Sequence, residues 1–243
     1  MSGLHVHLKR WRIQPDLIKT LLYIGMPSSG QMLSRGLMSL IIMRIVALCG
    51  TVAVAGYGIG MRFHMLILMP AFVLGNAVST MVGQNLGAGR PDRASQAAWL
   101  ATGIDMAVMA AFAVLMLASA PQFVRLFDSN PEVVQVGASY LRTVSPFYVF
   151  TALAIVLGRA LEGAGQTMVT MIFTITSLWG LQVPLALLLS RFFKPATQGI
   201  WWAIVIAVTA HGLMVAGWFL AGRWKTYTVG VLRAAALNGE SSA

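Results

Sequence analysis

Acidic side chains are nearly absent from this sequence. Seven Asp and Glu residues stand among 243, against seventeen Lys and Arg, and charged residues make up only 10% of the chain. Soluble domains carry about a quarter charged residues, because a folded surface has to be solvated. So few charges cannot cover a soluble domain of this size, which excludes an ordinary water-soluble fold. Cysteine is limited to Cys49, so an intrachain disulfide and a Cys-rich metal site are both excluded. The histidines, at 5, 7, 64 and 211, are scattered without metal-ligand spacing. No nucleophile elbow, phosphate-binding glycine loop or paired carboxylate occurs, so the sequence points away from an enzyme and calls for no cofactor. The start, Met1 to Ile13, is basic and amphipathic and lacks the apolar core of a signal peptide, so insertion is expected to rely on the first spanning helix.

What the sequence has in abundance is apolar length. Hydrophobic residues make up 58% of the chain, and the mean hydropathy is +0.76. A helix needs about 20 mostly apolar residues to cross the hydrocarbon core of a bilayer. Six stretches meet that requirement, near 26–48, 52–84, 94–118, 136–158, 168–190 and 199–222. Their runs are continuous rather than alternating, which disfavours strands. Turn-forming residues separate them, among them Cys49-Gly50-Thr51, Gly87-Ala88-Gly89-Arg90-Pro91-Asp92, Asp128-Ser129-Asn130-Pro131, Glu162-Gly163-Ala164-Gly165 and Lys194-Pro195. The expected fold class is an all-α integral membrane protein, a six-helix transmembrane bundle. Pro70 is expected to kink the long second helix. Pro146 and Pro184 stand as packing irregularities or hinges of a moving bundle. Gly56 and Gly60, at small-xxx-small spacing, are expected at a close helix contact.

The net charge of +10 raises nucleic acid as a partner. The basic residues, however, sit between and beside the apolar runs, with no basic stripe interleaved with aromatics, so no nucleic acid is expected. Six crossings put both termini on one side. Lys9, Arg10, Arg12, Lys19, Arg90, Arg93, Arg159, Arg223, Lys225 and Arg233 fall on that side, against Arg125, Arg191 and Lys194 on the other. The positive-inside rule then places both ends in the cytoplasm.

Polar residues within the spans are the functional candidates, since an Arg or Asp at mid-bilayer costs about 3 kcal/mol or more on insertion scales. Ser28, Gln31, Arg35 and Ser39 recur at helical spacing and form one polar stripe on the first helix. Arg62, Asn76, Thr80 and Gln84 form another on the second helix, provided a kink at Pro70 leaves the phase intact. Asp105 lies near the middle of the third helix, one turn after Thr102. Ser145 and Thr151 lie on the fourth, and Thr170, Thr174 and Ser177 on the fifth. Such stripes point to a hydrated internal cleft; interhelical hydrogen bonding accounts better for the Ser and Thr residues, and equally well for Arg35, Arg62 and Asp105. The cleft-lining candidates are Ser28, Gln31, Arg35, Arg62, Asn76, Thr80, Asp105, Ser145 and Thr151. An ion pair between Asp105 and an arginine is a further expectation, and Arg44 is expected to snorkel to the outer interface.

Several segments resemble one family of transporters. Met81-Val82-Gly83-Gln84-Asn85-Leu86-Gly87-Ala88-Gly89-Arg90, followed by Ala94, closely resembles a signature of multidrug and toxic compound extrusion (MATE) proteins. Gly25-Met26-Pro27 resembles the start of a lobe-opening helix in that family. Ala55-Gly56-Tyr57-Gly58-Ile59-Gly60 with Arg62 resembles the next helix. Ala160-Leu161-Glu162-Gly163-Ala164-Gly165-Gln166-Thr167 is similar to the turn between the fourth and fifth. The order and spacing match across residues 25 to about 225. Of the signature residues, Gly83, Gln84, Asn85, Gly87, Ala88, Gly89 and Arg90, with Glu162, Gly163 and Gly165, read as structural or gating rather than drug-binding.

The resemblance implies one lobe, the C-terminal one, of a two-lobe, twelve-helix transporter: 1–24 as an amphipathic cytoplasmic connector, 25–223 as the six-helix lobe, and 224–243 as a cytoplasmic tail. It implies a multidrug efflux antiporter of the bacterial inner membrane that exports small organic, often cationic, compounds in exchange for sodium or protons. The partners are then the lipid bilayer and a missing N-terminal lobe or a second chain. Some members carry a Glu where this chain has Arg35, and an Asp near Ala152. The coupling ion, sodium or a proton, is therefore expected in the missing first lobe. Two other readings are a lipid-linked precursor flippase of the same superfamily, and a non-transporting membrane fragment or scaffold.

Overall fold

The computed structural model of the chain describes residues 15–226. Among them, six helical spans are long and apolar enough to cross a membrane, and no strand is formed. They are α1 (Pro15–Ala47), α2 (Thr51–Gly87), α3 (Pro91–Arg125), α4 (Pro131–Gly163), α5 (Thr167–Phe192) and α6 (Ala196–Leu220). The six apolar runs of the sequence each became one span, so the chain is an all-α membrane bundle. Helix α1 begins ten residues ahead of its apolar part, which starts at Gly25, because residues 15–24 continue the same helix. The rest of the expected connector, residues 1–14, and residues 227–243 of the expected tail lie outside the described residues.

Each span starts and stops where local chemistry dictates. Pro91 and Pro131 stand at the first helical positions of α3 and α4, where the missing N–H costs nothing. The Asn130 side chain accepts a hydrogen bond from the Glu132 N–H at 2.9 Å and caps α4. Helices α2 and α4 end in the same way. Beyond α2, Gly89 takes φ +67°, and the Arg90 N–H reaches back to the Asn85 carbonyl at 2.8 Å. Beyond α4, Gly165 takes φ +80°, and the Gln166 N–H reaches the Leu161 carbonyl at 2.9 Å. Both are glycine-terminated ends that satisfy the last carbonyls, and only glycine enters that left-handed region without strain.

Prolines act unequally. Helix α2 runs unbroken through Pro70. In α4 a 3₁₀ turn covers Ser145–Phe147, around Pro146, and a π-helical stretch covers Leu153–Leu157. In α5 a π stretch, Thr176–Gln182, ends two residues before Pro184. Such departures from α geometry mark points where a helix bends or bulges, and they collect at functional sites.

Packing sorts the bundle into two apolar clusters. One gathers Met38 and Ile42 of α1, Tyr57 of α2, Tyr140 of α4 and Trp201 of α6. The other gathers Val82 and Leu86 of α2, Ala98 of α3, Leu161 of α4 and Phe219 of α6. Span α4 is the most buried of the six and forms the axis of the lobe. Its first turns lie on the glycines of α2: a Cβ on Gly56 would sit 2.8 Å from Val136 Cβ and 2.9 Å from the Val133 carbonyl oxygen, and Gly60 faces the Tyr140 ring. The salt bridge between Lys225 and Asp92, 3.0 Å, ties the segment after α6 to the first turn of α3. The chain therefore leaves the bundle at the end where α2 turns into α3, as an even number of crossings requires.

Candidate functional site

Two adjoining cavities open along the inner face of the lobe. One encloses about 430 Å³ and is lined by Ser28, Gln31, Arg35, Arg159, Glu162 and Thr170, among others. The second encloses about 240 Å³ and carries a more aromatic wall, including Tyr57, His64 and Tyr140. They share Arg35, Phe72, Ala154, Ile155 and His211, so they form one cleft with Arg35 at its waist. Helices α1, α2, α4, α5 and α6 all contribute, and α3 contributes no lining residue. The π stretch of α4 supplies Ala154 and Ile155, so a helix irregularity forms part of the cleft wall.

The polar face of α1 is held against α5. Gln31 Nε2 donates to Thr174 Oγ1 at 2.8 Å and to the Thr170 carbonyl at 3.3 Å. One turn on, the Arg35 guanidinium reaches the same Thr174 hydroxyl at 3.5 Å. Trp179 Nε1 donates to Ser34 Oγ at 2.6 Å. In hydrocarbon there is little hydrophobic drive between helices, so contacts of this kind fix how two helices meet. At the α4 end of the cleft, Arg159 and Glu162 form a 2.8 Å salt bridge across one helical turn.

Of the nine side chains expected in the cleft, Ser28, Gln31, Arg35 and Thr151 line it. Arg62, Asn76, Thr80, Asp105 and Ser145 lie elsewhere. The reason on α2 is helical phase. Its cleft face runs through Tyr57, Met61, His64, Leu68 and Phe72, an apolar and aromatic stripe. Arg62 is rotated off that face, with its guanidinium 6.0 Å from the centre of the Phe127 ring. Asn76 and Thr80 are exposed, and the Thr80 hydroxyl is turned back onto the Asn76 carbonyl. Arg159, Glu162, Thr170, Thr174 and His211 join the cleft instead. The threonines were visible in the sequence as a polar face of α5, but which helix they met was not.

Asp105 and Ser145 are fully buried, and neither Asp105 oxygen nor the Ser145 hydroxyl has a hydrogen-bond partner among the described residues. Among the described residues no arginine pairs with Asp105. An ionised carboxylate there has nothing to offset its desolvation. Asp105→Asn keeps the shape and removes the charge, so it is expected to change stability by no more than about 1 kcal/mol, or to raise it. Thermal unfolding in detergent checks this, and a loss of about 3 kcal/mol would mean that the carboxylate has a bound partner.

The signature residues meet at one end of the bundle. A Cβ on Gly83 would lie 3.3 Å from the Gly163 carbonyl oxygen, and Gly163 itself lies directly on the Ser79 backbone. Asn85 Nδ2 donates to the Met81 carbonyl at 2.8 Å, whereas the backbone carbonyls of Gln84 and Asn85 accept from Ala88 and Arg90. Around Gly87 there is open space.

Comparison with known proteins places this architecture. The MatE family model matches residues 27–188. The multidrug resistance protein PmpM of Pseudomonas aeruginosa is 30% identical over 212 residues, which cover 85% of this chain and 44% of that protein. The probable multidrug resistance protein YpnP of Bacillus subtilis is 30% identical over 207 residues, covering 84% and 46%. The probable multidrug resistance protein NorM of Thermotoga maritima is 24% identical over 223 residues, covering 90% and 47%. Among solved structures, MATE in the straight conformation superposes with a TM-score of 0.82 at 22% identity, over 96% of this chain and 50% of that one. The chain spans about half the length of the curated relatives it matches.

Proposed function

Since the chain belongs to the MatE family, we propose that it forms the C-terminal lobe of a multidrug efflux antiporter. The relatives it matches are transporters rather than enzymes, and six apolar spans fit a multi-pass protein of the bacterial inner membrane. In this reading a second six-helix unit, a first lobe or another chain, faces the cleft described above. The two rock about it between inward- and outward-open states. Sodium or a proton binding at a carboxylate of that other unit biases the equilibrium and drives export of a small organic compound. Both termini face the cytoplasm, which the excess of Lys and Arg at that end supports.

One observation carries the reading: the lobe has a continuous cleft, walled by five of its six spans, with a π-helical stretch in the wall. A dry scaffold would pack that face shut. The test is dye flux in proteoliposomes under an imposed sodium or proton gradient. Dye movement that follows the gradient and stops when it collapses is the expected result; movement indifferent to both ions would defeat the antiport reading.

A further inference from the structure

We propose that the cleft is an anion site, in which Arg35 holds the carboxylate, sulfonate or phosphate group of an amphipathic organic substrate. The proposal rests on the transport reading and adds the charge of what is carried.

The charge inventory is lopsided. The acidic and basic side chains lining the two cavities are Arg35, Arg159, Glu162 and the histidines His64 and His211. Glu162 is taken up by Arg159 at 2.8 Å. That leaves Arg35 as the arginine of the cleft without a salt bridge among the described residues, and the lining with one more arginine than carboxylates. A guanidinium has five N–H donors in a planar fork. Among the described residues, that of Arg35 makes one hydrogen bond, the 3.5 Å contact to Thr174, whose hydroxyl already takes a shorter one from Gln31 at 2.8 Å. A cation at this depth in a bilayer bundle persists where an anion or a wet cavity meets it.

Position and shape say what kind of anion. Arg35 stands where the two cavities join, so a ligand bound there has room on both sides. The larger cavity is polar around Ser28, Gln31 and Thr170, and the smaller is walled by Tyr57, Met61, Leu68, Phe72 and Tyr140. Together they are of the size that takes a drug-like molecule. A carboxylate or sulfonate meets the planar fork with two parallel hydrogen bonds, which a point-charge lysine does not offer. The aromatic wall then takes the apolar body. For an organic cation the lining from this lobe offers a single carboxylate among the described residues, and Arg159 pairs with it.

Fluorescein and rhodamine 123 share a xanthene frame and carry opposite net charge. Their binding to the full chain in phosphatidylcholine nanodiscs, read by fluorescence anisotropy against empty discs, tests the proposal. Fluorescein is expected to bind about tenfold tighter than rhodamine 123. Arg35→Gln should shrink that ratio to about twofold or less by weakening fluorescein, and Arg35→Lys should fall between. Glu162→Gln frees Arg159 and is expected to raise fluorescein affinity severalfold. It moves in the opposite direction from Arg35→Gln, so a folding defect cannot mimic it. Replacing a fifth of the lipid by phosphatidylglycerol should leave fluorescein binding unchanged; competition by that lipid would make a headgroup the occupant and overturn the substrate assignment. Tighter binding of rhodamine 123, a ratio indifferent to Arg35→Gln, or no binding of either dye would also overturn the proposal. Gradient-driven flux with an inverted dye preference sinks this proposal alone, and an intact preference without flux sinks the antiport reading alone.

Discussion

Gly163→Val is expected to unfold the lobe at the end where α2 and α4 meet, at a cost of roughly 3 kcal/mol or more. A Cβ at position 163 would run into the Ser79 carbonyl oxygen and lie 2.8 Å from both the carbonyl carbon and Cα of the same residue. These are backbone atoms of α2, which no rotamer change moves aside. Relief has to come from separating the two helices. In lipid that separation has no compensation, because van der Waals contact between close backbones is a main attraction holding helices together. The consequence reaches the second signature, since Gly83, one helical turn beyond Ser79 on α2, approaches the Gly163 carbonyl oxygen. Thermal unfolding in detergent is the measurement. Gly103→Ala is the control: a Cβ there meets nothing within 4 Å, and the exchange should be neutral or stabilising by up to about 1 kcal/mol. If Gly163→Val melts with the wild type, the two signatures are not in contact.

Trp201→Ala is expected to cost about 3–5 kcal/mol, whereas Trp201→Phe should cost no more than about 1.5 kcal/mol. Trp201 is fully buried in α6. It stacks on Tyr57 of α2, centroids 5.3 Å apart and planes 17° from parallel, and meets Tyr140 of α4 edge-on at 5.0 Å. Tyr57 and Tyr140 close the triangle at 5.2 Å and 88°. Three rings from three helices thus pack together, and the two tyrosines form part of the wall of the smaller cavity. Alanine leaves a void and removes two aromatic contacts worth about 0.5–1.5 kcal/mol each. Phenylalanine keeps a ring in place and also removes the indole N–H, which has no partner among the described residues. Equal damage from both substitutions would mean that the N–H is bonded after all, and the contrast in melting temperature decides it.

The parts of the site that were legible in the sequence share one property: they lie on a single helix. Ser28, Gln31 and Arg35 recur on one face of α1 by their spacing alone, and that face does line the cleft. Arg62 shows where such reasoning stops. Its charge marked α2 as polar there, yet the face that α2 turns to the cleft carries Met61, His64 and Leu68. A polar stripe identifies a face that avoids lipid, but a neighbouring ring such as Phe127 satisfies it as well as a water-filled passage does. Asp105 makes the same point from the other side: its depth was readable, its lack of a partner among the described residues was not.

The sequence by itself determined the number of spans and the turns that separate them. These depend on local matters: the length of an apolar run against the thickness of hydrocarbon, and glycines and prolines that start or stop a helix. Tertiary structure alone decided which faces meet. It set Gly163 on Ser79, joined Thr174 to Gln31, and paired Glu162 with Arg159 while leaving Arg35 without a salt bridge among the described residues. The physical reason is that in lipid almost any apolar face is acceptable outside. Hydrophobicity therefore chooses the helices but not their partners, and close packing and a few buried polar contacts choose those.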